Sequence, residues 1–384
     1  MNGYLSLPLV LLTVGLAAQA WSRISFKDAF NPLNDSCNGP DKIASSGKEF
    51  LAAMLRTSRC IKKDYLDSGE IARPFRVHMA DIPPENIDKD LTAYFPEIIG
   101  PETVEVRDDT AYTGADDGWI YKIDLTQMTA TQLATACNAS GVTDCRPLGI
   151  RATSDNKLYF VDTAGLCVYD IDTDEVKVLL PRLSEVEGEP FKLPNDLDID
   201  ESTNTIYMSD GSTRYDNNEV LRGTLLHDAS GRVLQYNIDT GEVSVLVPQL
   251  SFPNGIQLSH DKKTLLVNEF NKMRVLKVVL NGNRRGKWSV FTDGIPGEPD
   301  NIRLGSNGGY WIGVNLARNN SEWAIFDYLS DSKCCTMGFI RTNDFIADYL
   351  SHLAEWTNHD EYKDVADKAK FAAISTGNSI PARE

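Results

Sequence analysis

The stretch Phe252-Pro-Asn-Gly-Ile-Gln-Leu-Ser259 sets an Asn directly after a Pro and directly before an alternating apolar run. Pro followed by Asn-Gly is ordinary turn chemistry, but the phrase is not confined to one turn. Pro, a variable residue X, and apolar residues two and four positions beyond X recur along the chain. The phrase reads Pro101-Glu102 with Val104 and Val106, then Pro147-Leu148 with Ile150 and Ala152. It returns as Pro194-Asn195 with Leu197 and Ile199, as Pro253-Asn254 with Ile256 and Leu258, and as Pro299-Asp300 with Ile302 and Leu304. X falls at 102, 148, 195, 254 and 300, in steps of 46, 47, 59 and 46 residues. The chain is periodic with one insertion, which lies in Gly211–Ser230.

Each phrase is followed by further strand signals. A β-branched or aromatic run comes next, as in Leu158-Tyr-Phe-Val161, Ile206-Tyr-Met208 and Leu265-Leu-Val267. A third run ends at Tyr169-Asp-Ile-Asp172 or Tyr236-Asn-Ile-Asp239, and a turn leads to a fourth, Val176–Leu180 or Val243–Val247. Four short strands per repeat of about 40–50 residues is the pattern of a β-propeller, in which neighbouring sheets cover each other's faces around an axis. Pro is tolerated because it opens a strand, where no ladder donor is lost. X then marks the start of each innermost strand, and those starts converge at one end of the central channel. Glu102, Asn195, Asn254 and Asp300 are therefore expected to meet on the axis, with Asn301 as a further oxygen donor. A ring of carboxylate and amide oxygens is what a hard cation such as Ca²⁺ prefers. One Asn or Asp after Pro does no more than start a turn; four at five equivalent positions favour a metal site, with Leu148 the exception.

The 384 residues, 42% apolar, suit one large domain with flanking pieces. A net charge of −17, with Lys and Arg scattered and no basic run longer than Arg284-Arg285, excludes a nucleic-acid-binding stripe. Leu5–Ala18 is apolar and uncharged, short for a membrane span. With Ala18-Gln19-Ala20 behind it, the segment reads as a cleaved secretory signal. An uncleaved anchor, giving membrane association, is the alternative. Residues 21–96 form a lead-in with a helical stretch at Lys48–Leu55, 97–330 carry the blades, and 331–384 form a divergent helical segment. There Ile346, Tyr349, Leu350, Leu353 and Trp356 trace a helical face where a sixth Pro-X phrase is due, so the last blade is divergent or incomplete.

Entry to the secretory route permits disulfides. Cys137 and Cys145 flank a short polar loop and are the expected pair; Cys37 with Cys60 is a second pairing, and Cys167 reads as a buried thiol. Sequons occur at Asn34, Asn138 and Asn319. The His residues fall outside the repeat starts. Ser259 lacks the context of a nucleophile elbow, which argues against a Ser hydrolase.

The ordered motifs resemble the strictosidine synthase-like family. They are Gly100-Pro-Glu102, Tyr112–Gly118, Cys145-Arg-Pro-Leu-Gly-Ile-Arg151, Asn195-Asp-Leu197, Phe252-Pro-Asn-Gly255, Pro299-Asp-Asn-Ile302 and Gly308-Gly-Tyr-Trp311. The resemblance spans roughly residues 75–330. It implies an all-β, six-bladed propeller, here with N-terminal and C-terminal helical additions, and, for the membrane-associated branch, arylesterase-type hydrolysis. More distantly, the Glu, Asn, Asn, Asp set is similar to the calcium site of gluconolactonases and paraoxonases. Carried over, Glu102, Asn195, Asn254 and Asp300 are ligands and Asn301 a fifth, serving a small-molecule ester or lactone. The chain departs from these families in two ways. Leu148 stands where paraoxonases place a His base, so Asp300, or a group the sequence does not identify, would activate water. The Glu with which strictosidine synthases deprotonate an amine for condensation has no counterpart. The alternatives to a hydrolase are a non-catalytic binding or adhesion propeller with a structural metal and, less favoured because that Glu is absent, strictosidine synthase-type amine–aldehyde condensation.

Overall fold

Four antiparallel sheets follow one another along the chain, each with its strands in simple sequence order. The first holds β1 (Val104–Arg107), β2 (Thr110–Gly114), β3 (Ile120–Asp124) and β4 (Thr129–Ala134). The second holds β5 (Ile150–Ala152), β6 (Lys157–Asp162), β7 (Gly165–Asp170) and β8 (Glu175–Pro181). A small hairpin, β9 (Glu185–Val186) with β10 (Glu189–Pro190), precedes the third sheet of β11 (Pro194–Asp200), β12 (Thr205–Asp210), β13 (Gly231–Asn237) and β14 (Val243–Leu250). The fourth comprises β15 (Pro253–Leu258), β16 (Thr264–Glu269), β17 (Arg274–Val279) and β18 (Trp288–Thr292). A fifth sheet pairs β19 (Glu298–Leu304) with β20 (Tyr310–Asn315), and β20 with β21 (Ile380–Arg383). This computed structural model describes Phe95 and residues 98–295, 297–305, 308–315 and 380–383. All lie in one compact unit spanning Ala72–Thr336 and Ile346–Glu384.

The arrangement is the propeller-like one read from the repeats. In the second, third and fourth sheets the second strand is buried on both faces, with Tyr159 and Val161, Tyr207, and Leu266 at most 5% exposed on one side. Leu158, Phe160, Ile206, Met208, Leu265 and Val267 have no exposed surface. Burial of this kind contributes about 1.5–3 kcal/mol per side chain. The inserted residues 211–230 lie between β12 and β13 and carry a short helix, α2 (Val220–Leu225), after α1 (Cys137–Ser140) in the first blade. In the first three blades the turn from third to fourth strand is closed by a side-chain oxygen accepting two backbone N–H groups. Asp124, Asp170 and Asn237 play that part.

Each of β11, β15 and β19 has a bulge directly after its Pro. Pro194 pairs with Asp210 and Leu197 with Met208, so Asn195 and Asp196 stand opposite Ser209 alone. Asn254 and Gly255 likewise oppose Asn268, and Asp300 and Asn301 oppose Gly313. A bulge frees two successive side chains from the ladder and re-aims them. The glycines after X in the second and fourth blades let the next bulge come close. A Cβ on Gly149 would stand 2.5 Å from Asp196 Oδ1, and one on Gly255 would stand 2.4 Å from the Asp300 carbonyl.

The position two beyond X is fully buried at Leu197 and Ile256, yet Val104 of the first blade is 53% exposed and Val106 59%. That face of the first blade is open. The Lys48–Leu55 helix, the helical face at 346–356, the sequons at Asn34 and Asn319, and Cys37, Cys60, Cys334 and Cys335 lie outside the described residues.

Candidate metal centre

The bulges deliver the X residues to one end of the inner strands. Asn301 Nδ2 donates to Glu102 Oε1 at 3.0 Å, joining the first and fifth sheets across 199 residues of sequence. The Asn254 amide donates to the Asp300 carboxylate. Asn195 sits on the bulge of β11, adjoining β15, where its neighbour Asp196 accepts from the Ile256 N–H at 2.9 Å. Four of the five residues thus form two side-chain pairs, linked through the neighbours Asp300 and Asn301, and the fifth lies on the adjoining bulge. Leu148 is buried among Tyr159, Val161 and Phe191, so the second blade presents apolar bulk instead of a donor.

Polar satisfaction distinguishes this cluster from a set of turn starters. The side-chain oxygens of Asn195, Asn254 and Asn301 are buried and accept no hydrogen bond. Buried acceptors are almost always paired, so three orphans on the bulges of β11, β15 and β19 call for an explanation such as an ion. The two carboxyls tell the same story. Burial, then the charges of Asp300 and Asp196, pushes Glu102 up to about 7, against the opposing pull of Arg303 and the Asn301 hydrogen bond. Burial also pushes Asp300 up to about 6, the Asp196 charge adding to it while the Asn254 hydrogen bond and Arg303 oppose it. Both residues keep some exposed surface, while their carboxyl groups are enclosed. A cation among them would relieve both shifts. Among the described residues no three His, Cys, Asp or Glu side chains are grouped to hold a metal. The donor set here is two carboxylates and three amide oxygens, a hard-oxygen set that fits Ca²⁺.

A second layer lies three positions beyond X, and the sequence reading passed over it. Glu105, Arg151, Asp198, Gln257 and Arg303 occupy that offset in the five repeats. Arg303 grips the fully buried Asp196 with both nitrogens, at 2.9 and 3.2 Å. It also donates to Thr103 Oγ1 at 3.0 Å, which in turn donates to Glu102 Oε2 at 3.0 Å. Arg151 Nε and Gln257 Nε2 both donate to the Asp198 carboxylate, at 3.3 and 2.7 Å, and Glu105 accepts the Ala152 N–H at 3.1 Å. The recurring polar residue between two apolar ones was legible once the repeats were aligned. It went unread because alternation alone assigns such a residue to solvent.

Elsewhere, Cys137 and Cys145 are bridged, their Cα atoms 5.6 Å apart, and Cys167 is a buried free thiol. Asn138 is exposed on α1. Among the described residues no helix is long and apolar enough to cross a membrane.

An all-β propeller-like chain with an oxygen-lined cluster at one end of its inner strands is the class defined so far. The family resemblance holds as well. Residues 195–283 match the family model described as strictosidine synthase, and residues 94–123 the one described as strictosidine synthase-like, N-terminal. The chain is 36% identical over 240 residues to adipocyte plasma membrane-associated protein of Salmo salar, covering 61% of this chain and 58% of that one. It is 38% identical over 174 residues to protein strictosidine synthase-like 10 of Arabidopsis thaliana, covering 44% and 45%. The chain thus spans a little over half the length of the former relative and under half of the latter. Among solved structures, it is similar to a calcium-binding protein, regucalcin, of Agrobacterium tumefaciens, with a TM-score of 0.43 and 19% identity over 57% of this chain and 68% of that one. A likeness of that size bears on neither ligand nor activity.

Proposed function

We propose that the chain is a Ca²⁺-dependent hydrolase of esters or lactones, arylesterase-like, with Glu102, Asn195, Asn254, Asp300 and Asn301 holding the ion at the propeller axis. The observation that supports it is the set of three orphaned buried amide oxygens beside two carboxyls held above their usual range. When bound, the ion would polarise an ester or lactone carbonyl and stabilise the charge developing on its oxygen. The chain's own groups do the rest. Asn254 fixes the orientation of Asp300, and Asn301 that of Glu102. Asp300, once ionised, accepts the proton of the attacking water. Leu148 supplies an apolar wall where a His base would otherwise stand. Hydrolysis of a panel of small aryl esters and lactones by the purified protein, with and without chelator, tests this. Turnover lost on chelation and restored by Ca²⁺ is expected; turnover indifferent to the chelator overturns the reading.

A second reading draws on the layer beneath. Arg303 with Asp196, and Arg151 with Asp198, already knit the inner strands together, so an ion above them would brace the blades without any chemistry. Ca²⁺ raising the unfolding temperature while no substrate in the panel turns over would favour this binding or adhesion propeller with a structural metal. In either case we read six blades, the last divergent or incomplete, with N-terminal and C-terminal helical additions. The Cys137–Cys145 bridge and the signal-like residues 1–20 support a secreted or lumenal protein, or one anchored by that segment.

A further inference from the structure

Charge is unevenly spread in the fourth blade. Residues 270–292 contain Lys272, Arg274, Lys277, Arg284, Arg285 and Lys287 without a single Asp or Glu, in a chain of net charge −17. The equivalent hairpins of the other blades turn on acids: Asp124 in the first, Asp170 through Asp174 in the second, Asp239 and Glu242 in the third. Here the turn is Gly282-Asn-Arg-Arg-Gly-Lys287. Lys277, Arg284 and Lys287 are exposed and form no ion pair among the described residues. Lys263, on the β15–β16 turn, joins the same surface, its carbonyl accepting the Leu280 N–H at 2.9 Å.

Beside these cations stands an apolar strand that the described residues leave about half exposed. Every residue of β18 is exposed, with Trp288 at 44%, Val290 at 43% and Phe291 at 49%. The Trp288 ring lies under the Arg274 guanidinium, and the Phe291 ring meets Tyr310 of the next blade edge-on. Trp288 and Val290 thus lie beside Val278 and Leu276 of β17, while Phe291 turns to the next blade. β15 leads away from the candidate centre, β16 returns and β17 leads away again. The basic turns thus sit at the end of the blade remote from that centre.

We infer that this hairpin, with Arg284 and Lys287 at its turn and Trp288, Val290 and Phe291 on its outer strand, is a docking surface for an anionic lipid bilayer. Exposed aromatic rings beside cations match the two needs of an interfacial surface, apolar insertion at headgroup depth and attraction to negative headgroups. Asp261 on the adjoining turn is paired with Lys263 at 3.7 Å, which leaves Lys277, Arg284 and Lys287 to carry the charge. An acidic protein segment would use the charge but needs no broad apolar rim. The remote position leaves the candidate centre facing away from the bilayer.

The test is co-sedimentation of the full chain with vesicles of phosphatidylcholine alone and of phosphatidylcholine mixed with phosphatidylserine. Binding to the mixed vesicles, weakened by salt, is expected. Arg284→Glu with Lys287→Glu should lower it by about thirtyfold. Trp288→Ser with Phe291→Ser should remove whatever persists at high salt. Circular dichroism checks that both double variants stay folded, and failure of either pair to fold is met by Arg284→Gln with Lys287→Gln. Equal binding to both vesicle types would point to insertion of the apolar 5–18 segment and overturn the inference. So would indifference to both double variants, or no binding at all. If the basic pair governs capture of a polyglutamate peptide but not of vesicles, the surface is a protein site and the lipid assignment falls.

Discussion

The side chain of Asn254 donates to Asp300 through its nitrogen and leaves its oxygen buried without a partner. Asn254→Ala removes the donor that orients Asp300 together with an oxygen that has no partner in the metal-free fold, and both losses act at the candidate centre. Its main effect should therefore appear on the ion. Ca²⁺ affinity measured by isothermal titration calorimetry should fall on the order of ten- to a hundredfold. Hydrolysis of the aryl-ester panel should fall with it; loss of the ion with hydrolysis intact would separate the two and rule out the mechanism. At this scale the sequence was informative about residue type. A side-chain oxygen after Pro marked four positions, and the departure at Leu148 matches its burial in the core. The second layer was present in the letters as well. Glu105, Arg151, Asp198, Gln257 and Arg303 were missed because a polar residue in an alternating strand looks solvated until the channel it faces is known.

At the scale of elements, the bulge makes the site, and glycine makes room for the bulge. A methyl on Gly255 would meet the Asp300 carbonyl at 2.4 Å and the Ile302 nitrogen at 2.7 Å, both backbone atoms with little freedom to yield. Gly255→Ala should destabilise the fold by about 1–3 kcal/mol in urea denaturation and displace Asp300 enough to weaken Ca²⁺ binding; an unchanged midpoint would show that the strands part more easily than this packing implies. The Cys137–Cys145 bridge closes a short loop, a separation of 8 residues. Replacing both with Ser should cost roughly 2.5 kcal/mol through the freed unfolded chain, read as a lower melting temperature. The four strands of each of the first four blades, and their order, were legible in the repeats. The β9–β10 hairpin was not, nor was β21, a strand inside the segment 331–384 expected to be helical. The bulges were not, because a one-residue excess on one strand depends on the partner's register.

At the scale of the whole molecule, burying Glu102 and Asp300 together makes stability depend on pH. Their folded values, about 7 and about 6, lie above ordinary carboxylate values. Between about pH 4 and 7 the folded, metal-free protein holds protons that the unfolded chain has released. Metal-free stability should therefore be highest at the acid end of that window and fall as pH rises through it. Saturating Ca²⁺ should reverse the trend at neutral pH, since the ion favours the ionised pair. Thermal unfolding midpoints across the window, with and without Ca²⁺, check this; a metal-free midpoint rising toward pH 7 would contradict the burial of these charges.

The sequence by itself determined the repeat, the propeller-like class and the residue types at the axis, because periodic apolar spacing and Pro placement are local properties of the chain. Tertiary structure alone decided which of those residues touch. Glu102 meets Asn301 across 199 positions only because the first and fifth sheets are brought round the axis. It also decided that three amide oxygens stay unpaired, since a missing partner is a property of the assembled surroundings. The basic, aromatic edge of the fourth blade is a third case. Its basic stretch, 270–292, can be read in the letters; only the pairing of β17 with β18 decides which of its rings stay exposed beside the cations.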